Sequence, residues 1–254
     1  MSAIADQAQH YDQILEDYEK HYFDPTSMSY RRRYIYPSLF TTLDLNGQRV
    51  LELACGSGFN TNEVLKLFPT AAVEGLDVSP ASCEAYARNT GRKALVFDLT
   101  TRHAEMPDPA DVAFVIGGLH HCIKDMEATF ANIRRLVKPG GYLLAVEPNA
   151  EFFLNKLRVS WYRRDKWFQE ADEAPLRYSE LVDLARPAFD PVSVRYLGGP
   201  AYFLILNSLI LRFPIAAKRL LAGLTFLLDD AYNLLPGSSP YPMFISQWRR
   251  RDYE

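Results

Sequence analysis

Short apolar runs alternate with helix-spaced stretches along most of this chain. That pattern predicts strands joined by crossover helices, and hence a doubly wound, mostly parallel α/β sheet. Arg49 to Leu53 reads as a first buried strand, and Thr61 to Phe68 has helical spacing. Ala72 to Val78 is a second strand, after which Ser79-Pro80 opens a helix running to about Asn89. Ala94 to Asp98 is a short third strand and Asp111 to Ile116 a fourth. Met126 to Val137 is an amphipathic helix stopped by Lys138-Pro139-Gly140-Gly141, and Tyr142 to Val146 is a fifth strand. Helical stretches at 151–168 and 179–185 lead to a sixth strand at Val192 to Tyr196. Phe244 to Trp248 is a seventh, returning antiparallel to close the sheet.

Two stretches stand outside this repeat. Residues 8–20 place Tyr11, Ile14, Leu15 and Tyr18 on one helical face. The aromatic and basic run from His21 to Pro37 follows, with Tyr22, Tyr30 and Arg33 among its side chains. Such side chains can cover a ligand and grip a carboxylate, or pack as a helical pair on a sheet edge. Residues 1–40 are therefore set apart as an N-terminal helical lid segment on a domain spanning 41–254. The second stretch is the 198–242 insertion between the last two strands, long enough to expect a function. Its apolar runs, Ala201 to Leu211 and Ile215 to Leu228, are too short to span a bilayer. They could roof an apolar pocket, form a homodimer contact or lie on a membrane surface.

Candidate chemistry gathers at the strand ends. Leu51-Glu52-Leu53-Ala54-Cys55-Gly56-Ser57-Gly58-Phe59-Asn60 breaks from strand to helix through a glycine turn. Gly56 and Gly58 lack the Cβ that would keep a ligand from the backbone, and the next helix offers unpaired N–H groups. Asp77, with Val78 after it, closes the second strand, where a carboxylate can accept both hydroxyls of a ribose or cap the following helix. Asp98 and Leu99 end the third strand, and Gly117-Gly118-Leu119-His120-His121-Cys122 follows the fourth.

Together with Leu136-Val137-Lys138-Pro139-Gly140-Gly141, these segments resemble the landmarks of the class I S-adenosylmethionine-dependent methyltransferases over roughly residues 45–150. The resemblance implies a seven-stranded Rossmann-like sheet, S-adenosyl-L-methionine as cofactor, and methyl transfer to an O, N or C atom of a small, partly hydrophobic acceptor by in-line displacement. By the same resemblance Glu52, Ala54, Gly56, Gly58 and Asn60 would meet the methionine end, and Asp77 and Val78 the ribose. Asp98 and Leu99 would take the adenine, and Gly117 the ammonium. Arg33 is a candidate for the carboxylate, and Tyr11, Tyr22 and Tyr30 for the acceptor pocket. His120 or His121 could act as general base, since imidazole titrates near neutrality, although such a pair also occurs in this family without a catalytic role. No Asp/Asn cluster suggests a metal.

Composition narrows the choice. With 48% hydrophobic residues the chain can build a real core, and a net charge of −3 argues against a nucleic-acid binder. Three widely spaced cysteines suggest neither a disulfide framework nor a zinc site, and the first ten residues lack the pattern of a signal peptide, so a cytoplasmic location is expected. Tyr162 and Lys166 have the Tyr-x-x-x-Lys spacing of short-chain dehydrogenases, but the turn at Gly56 lacks the third glycine of the dinucleotide fingerprint. A non-catalytic protein that keeps the fold for binding or assembly is the other alternative. The acids at Asp77 and Asp98 weigh against it.

Overall fold

The computed structural model describes residues 19–162, 174–208, 211 and 213–252. β1 (Arg49–Leu53), β2 (Ala72–Asp77), β3 (Ala94–Val96), β4 (Ala110–Ile116), β5 (Val137–Pro148), β6 (Phe189–Leu197) and β7 (Met243–Arg250) form one sheet in the order β3-β2-β1-β4-β5-β7-β6. β1 to β5 pair in parallel, whereas β7 runs antiparallel to both of its neighbours. This is the doubly wound sheet that the alternating pattern predicts, with the seven strands and Rossmann-like order that the resemblance implies. β5 departs from expectation by starting at Val137: Ala110 pairs with Val137 but Val112 with Tyr142, so residues 138–141 bulge out of register. β3 is shorter than expected and ends at Val96, although Phe97 N still donates to Asp77 O of β2 at 2.7 Å.

Strand alternation divides the core in two. Val50, Val112, Phe114, Leu144 and Val146 face one layer, and Leu51, Leu53, Ala113, Val115, Leu143 and Ala145 the other. The helices between strands are α3 (Phe59–Leu67), α4 (Pro80–Thr90) and α5 (Met126–Leu136), with α6 (Asn155–Tyr162) and α7 (Tyr178–Ala185) following β5. α5 and α7 cover the second layer through Phe130, Ile133, Leu136, Leu181 and Ala185. Residues 151–154 of the expected 151–168 helix form a turn rather than helix, and 163–168, with Lys166, lie outside the described residues.

The first layer is closed by the N-terminal run, in which α1 (Pro25–Tyr30) continues through a π-helical turn (Arg31–Ile35) into α2 (Tyr36–Leu39). Asp24 caps α1 by accepting from Thr26 N at 2.9 Å, and Pro25 stands where no amide donor is needed. Against this run packs the insertion, a π-helical turn (Tyr202–Leu206) and α8 (Ile215–Tyr232). α8 turns Lys218, Thr225 and Asp229 inward, and Asp229 accepts from Gly199 N at 3.1 Å and Ala201 N at 2.7 Å. Its outward face carries Leu220, Leu224 and Leu227, exposed to 84%, 60% and 66%. No helix among the described residues is long and apolar enough to cross a membrane.

Candidate functional site

The carboxyl ends of β1, β2 and β4 border a cavity of about 170 Å³. By this measure one water needs about 10–15 Å³, so the cavity has room for a ligand of many atoms. The β1 turn makes one wall. Ala54 and Gly56 both adopt left-handed φ, at 51° each, and bring bare backbone to the cavity, with open space where a Cβ on Gly56 would stand. Gly58, also left-handed at φ 82°, does not line it. A Cβ there would come within 2.4 Å of Thr90 Cγ2, so its role is to let α3 and α4 approach.

Asp77 forms the next wall. One carboxylate oxygen accepts from Gly56 N at 2.8 Å and the other from Ser79 N at 2.9 Å, which fixes the group while leaving lone pairs on both oxygens for a ligand. Burial raises its pKa, opposed by those two backbone bonds and the charge of His121. Val78, Asp98 and Leu99 line the far end, beside Phe97, which stacks on His103 with ring centroids 4.0 Å apart. Asp98 also accepts from Thr100 N at 2.8 Å.

Glu52 lies beneath this surface, 1% exposed and outside the lining. It accepts from Asn60 Nδ2 at 3.1 Å and from Thr61 Oγ1, and so fixes Asn60, which does line the cavity. Burial is the main cause that pushes its carboxyl up to about 7, against the opposing bonds from Thr61 and Asn60.

The expected carboxylate ligand is placed elsewhere. Arg33 lies half exposed, 2.6 Å from Asp230 of α8, and is not part of the lining. Arg31 is the inward-facing arginine of this run, 6% exposed. Its guanidinium lies 4.6 Å over the Phe23 ring and makes one long hydrogen bond, 3.5 Å, to Asn60 Oδ1, while Nε is buried without a partner. Phe23 and Asn60 both line the cavity; Arg31 itself does not, and lies directly behind them. Phe23 stacks on Phe59 at 4.4 Å, closing this end with two aromatic rings. Sequence reasoning passed over Arg31, yet helical spacing sets Ser27, Arg31 and Ile35 on one face, and all three are buried.

Gly117 and His121 line the cavity, but His120 does not. Its Nδ1 lies 2.8 Å from Glu147 Oε2, and a Cβ built on Gly117 would lie 3.8 Å from its Cε1. Glu147, one residue beyond the expected end of β5, is a fully buried carboxylate. It also accepts from the N–H groups of Gly118, Leu119 and His120 at 3.1, 2.8 and 3.3 Å, and so fixes the whole Gly117–His121 loop. Tyr22 donates to Asn207 of the insertion, and Tyr30 is buried beside Tyr34 and Phe226, so neither lines this cavity; Tyr11 lies outside the described residues. Among the described residues no group of three or more His, Cys, Asp or Glu could hold a metal ion.

Comparison with known proteins bears on the domain and the fold. Residues 51–143 match the methyltransferase domain family. A phthiotriol/phenolphthiotriol dimycocerosates methyltransferase of Mycobacterium ulcerans is 29% identical over 113 residues, which cover 43% of this chain and 41% of that protein. The match thus spans about two fifths of the length of that relative. Among solved structures, an S-adenosylmethionine-dependent methyltransferase from Anabaena variabilis superposes with a TM-score of 0.65 at 18% identity, covering 99% of this chain and 96% of that one. The [4+2]-cyclase SpnF superposes at 0.63 with 16% identity, covering 96% and 95%. The fold is therefore shared by proteins named for different reactions.

Proposed function

We propose that this chain, which belongs to the class I S-adenosylmethionine-dependent methyltransferases, moves a methyl group from S-adenosylmethionine to a small, partly hydrophobic acceptor. The observation that carries this reading is the Asp77 carboxylate. Its two oxygens are fixed at the cavity wall by Gly56 N and Ser79 N and keep the capacity to accept two hydroxyls. The surrounding residues fit the donor. Bare backbone at Ala54 and Gly56 admits a ligand closely, Asp98 and Leu99 can meet the adenine, and Arg31 is a desolvated cation whose Nε lacks a partner. Arg31, rather than Arg33, would hold the methionine carboxylate.

The sulfonium of the bound donor supplies an activated methyl group. The protein's part is to orient it and to keep an acceptor at attacking distance. An acceptor that loses a proton needs a base: His121 lines the cavity, whereas His120 lies outside the lining but is the one whose ring a carboxylate orients. Glu147 accepts its Nδ1–H, which leaves Nε2 as the basic nitrogen of the ring. His121 lies near enough to Asp77 for its charge to act there, which suits a place beside the donor.

Isothermal titration with S-adenosylmethionine, S-adenosylhomocysteine and NADPH tests the reading. Micromolar binding of both sulfur ligands is expected, weakened at least tenfold by Asp77→Ala, with no heat from NADPH. Binding of NADPH, or equal affinity in the variant, would overturn it.

A further inference from the structure

The insertion does more than pack on the sheet. Lys218 of α8 is 0% exposed, and its ammonium donates to Asp24 Oδ2 at 2.6 Å, to Ser27 Oγ at 2.9 Å and to the His21 carbonyl. All three protons of the ammonium are used on one short segment of the N-terminal run, 191 to 197 residues away in sequence. That segment bears directly on the cavity. Asp24 follows Phe23, which lines it, and caps α1, whose next residue after its end is Arg31. Ser27 Oγ, with one proton to donate, lies 2.6 Å from Asp24 Oδ2 and 2.9 Å from the Ile205 carbonyl of the insertion. Further along α8, Asp230 holds Arg33 and the Tyr34 hydroxyl, and Phe226 packs on Tyr30 and Tyr34.

We infer that Lys218 is a positioning residue for the donor site: its buried pair with Asp24 ties the insertion to the segment that carries Phe23 and Arg31, and so holds that wall against the cavity. The inference rests on the donor reading above. An insertion outside the shared sheet thereby sets how tightly the donor is held, without itself touching it. The physical case is that a buried ammonium has few tolerable positions. Any drift of Asp24 or Ser27 strands it without partners, so the pair permits essentially one placement of the segment. Hydrophobic contacts at Phe226 alone would allow sliding, because packing is far less directional than three hydrogen bonds.

The test separates positioning from bulk stability. Lys218→Met leaves the Asp24 carboxylate buried and unpaired, so it should lower both the melting temperature and the affinity for S-adenosylhomocysteine, the latter at least tenfold. Asp24→Asn/Lys218→Met removes both charges and keeps a good helix cap, so stability should return toward the parent while affinity stays reduced. Hydrogen exchange on the free protein reads the wall directly. Amides of residues 24–31 should exchange at least tenfold faster in the double variant, with those of β1 and β4 unchanged. Affinity restored together with stability, or exchange at 24–31 equal to the parent, overturns the inference. If the parent itself fails to bind S-adenosylhomocysteine, the donor reading fails, and the exchange result still decides whether Lys218 holds the segment.

Discussion

Removing the charge of Glu52 should change how stability depends on pH. The carboxyl is buried and titrates near 7 rather than 4.5, chiefly because burial disfavours its ionised form. Between those values the folded protein binds a proton that the unfolded chain has released, so stability falls as pH rises. A gap from 4.5 to about 7 corresponds to about 3 kcal/mol in total, of which about 2 kcal/mol falls between pH 5 and 7. Above about pH 8 the loss is complete and the curve flattens. Burial moves Asp77 in the same direction, so the parent slope contains both groups. The comparison with Glu52→Gln isolates one of them. Glutamine keeps the volume and can exchange hydrogen bonds with Thr61 and Asn60, and any fixed cost of the substitution cancels in the slope. Urea unfolding of the ligand-free protein at half-unit steps from pH 5 to 8 provides the measurement. The variant should gain about 2 kcal/mol on the parent between pH 5 and 7. Parallel curves for the two proteins would refute the account of a carboxyl kept protonated by burial.

Three other outcomes follow from the geometry. Gly58→Ala combines a left-handed φ of 82° with a Cβ 2.4 Å from Thr90 Cγ2, and should cost about 3 kcal/mol in thermal unfolding. Gly91→Ala, left-handed at φ 64° with open space around it, should cost about 1 kcal/mol, and equal losses would contradict the packing argument. Burial pushes the Cys83 and Cys122 thiols up to about 11 and about 12 and Cys55 higher still. All three are expected to react with Ellman's reagent at pH 8 at least a hundredfold more slowly in the folded protein than in urea, and a thiol titrating at the unfolded rate would contradict their burial. Long-range proton–nitrogen spectra should find the neutral His120 ring protonated at Nδ1, a preference lost in Glu147→Gln; the Nε2–H form in the parent would remove His120 as the base.

The parts of the site legible in sequence are those set by neighbours along the chain. The Gly56 turn, Asp77 and Asp98 each stand where an apolar run stops, and alternation within β1 and β4 fixes which side chains face each layer. Arg31 and Arg33 are separated by helical phase. Two positions along a helix amount to opposite faces, and the π-helical turn changes that phase within the run itself. Glu147 stood at a strand end like the other acids, but its four donors come from a loop 27 to 29 residues earlier. Lys218 is a charge within the apolar run Ile215 to Leu228, and its partner is 194 residues away. Pairings of that kind are fixed by tertiary packing, on which local periodicity is silent.

The placement of β7 bears on the order in which the molecule can assemble. It lies between β5 and β6, pairing Tyr142 with Arg249 on one side and Phe189 with Arg250 on the other. β1 to β5 can zip together as the chain emerges, each strand joining a neighbour already made. β6 has β7 as its neighbour in the sheet, and must wait for residues 243–250 before it gains a ladder. During synthesis the outer edge of β5 therefore stays open for about 100 residues, and closure is a late, long-range event of the kind that slows folding. A nascent or clipped chain that stops short of Met243 leaves the outer edge of β5 and the whole of β6 unpaired, where it is most prone to aggregate and most in need of a chaperone.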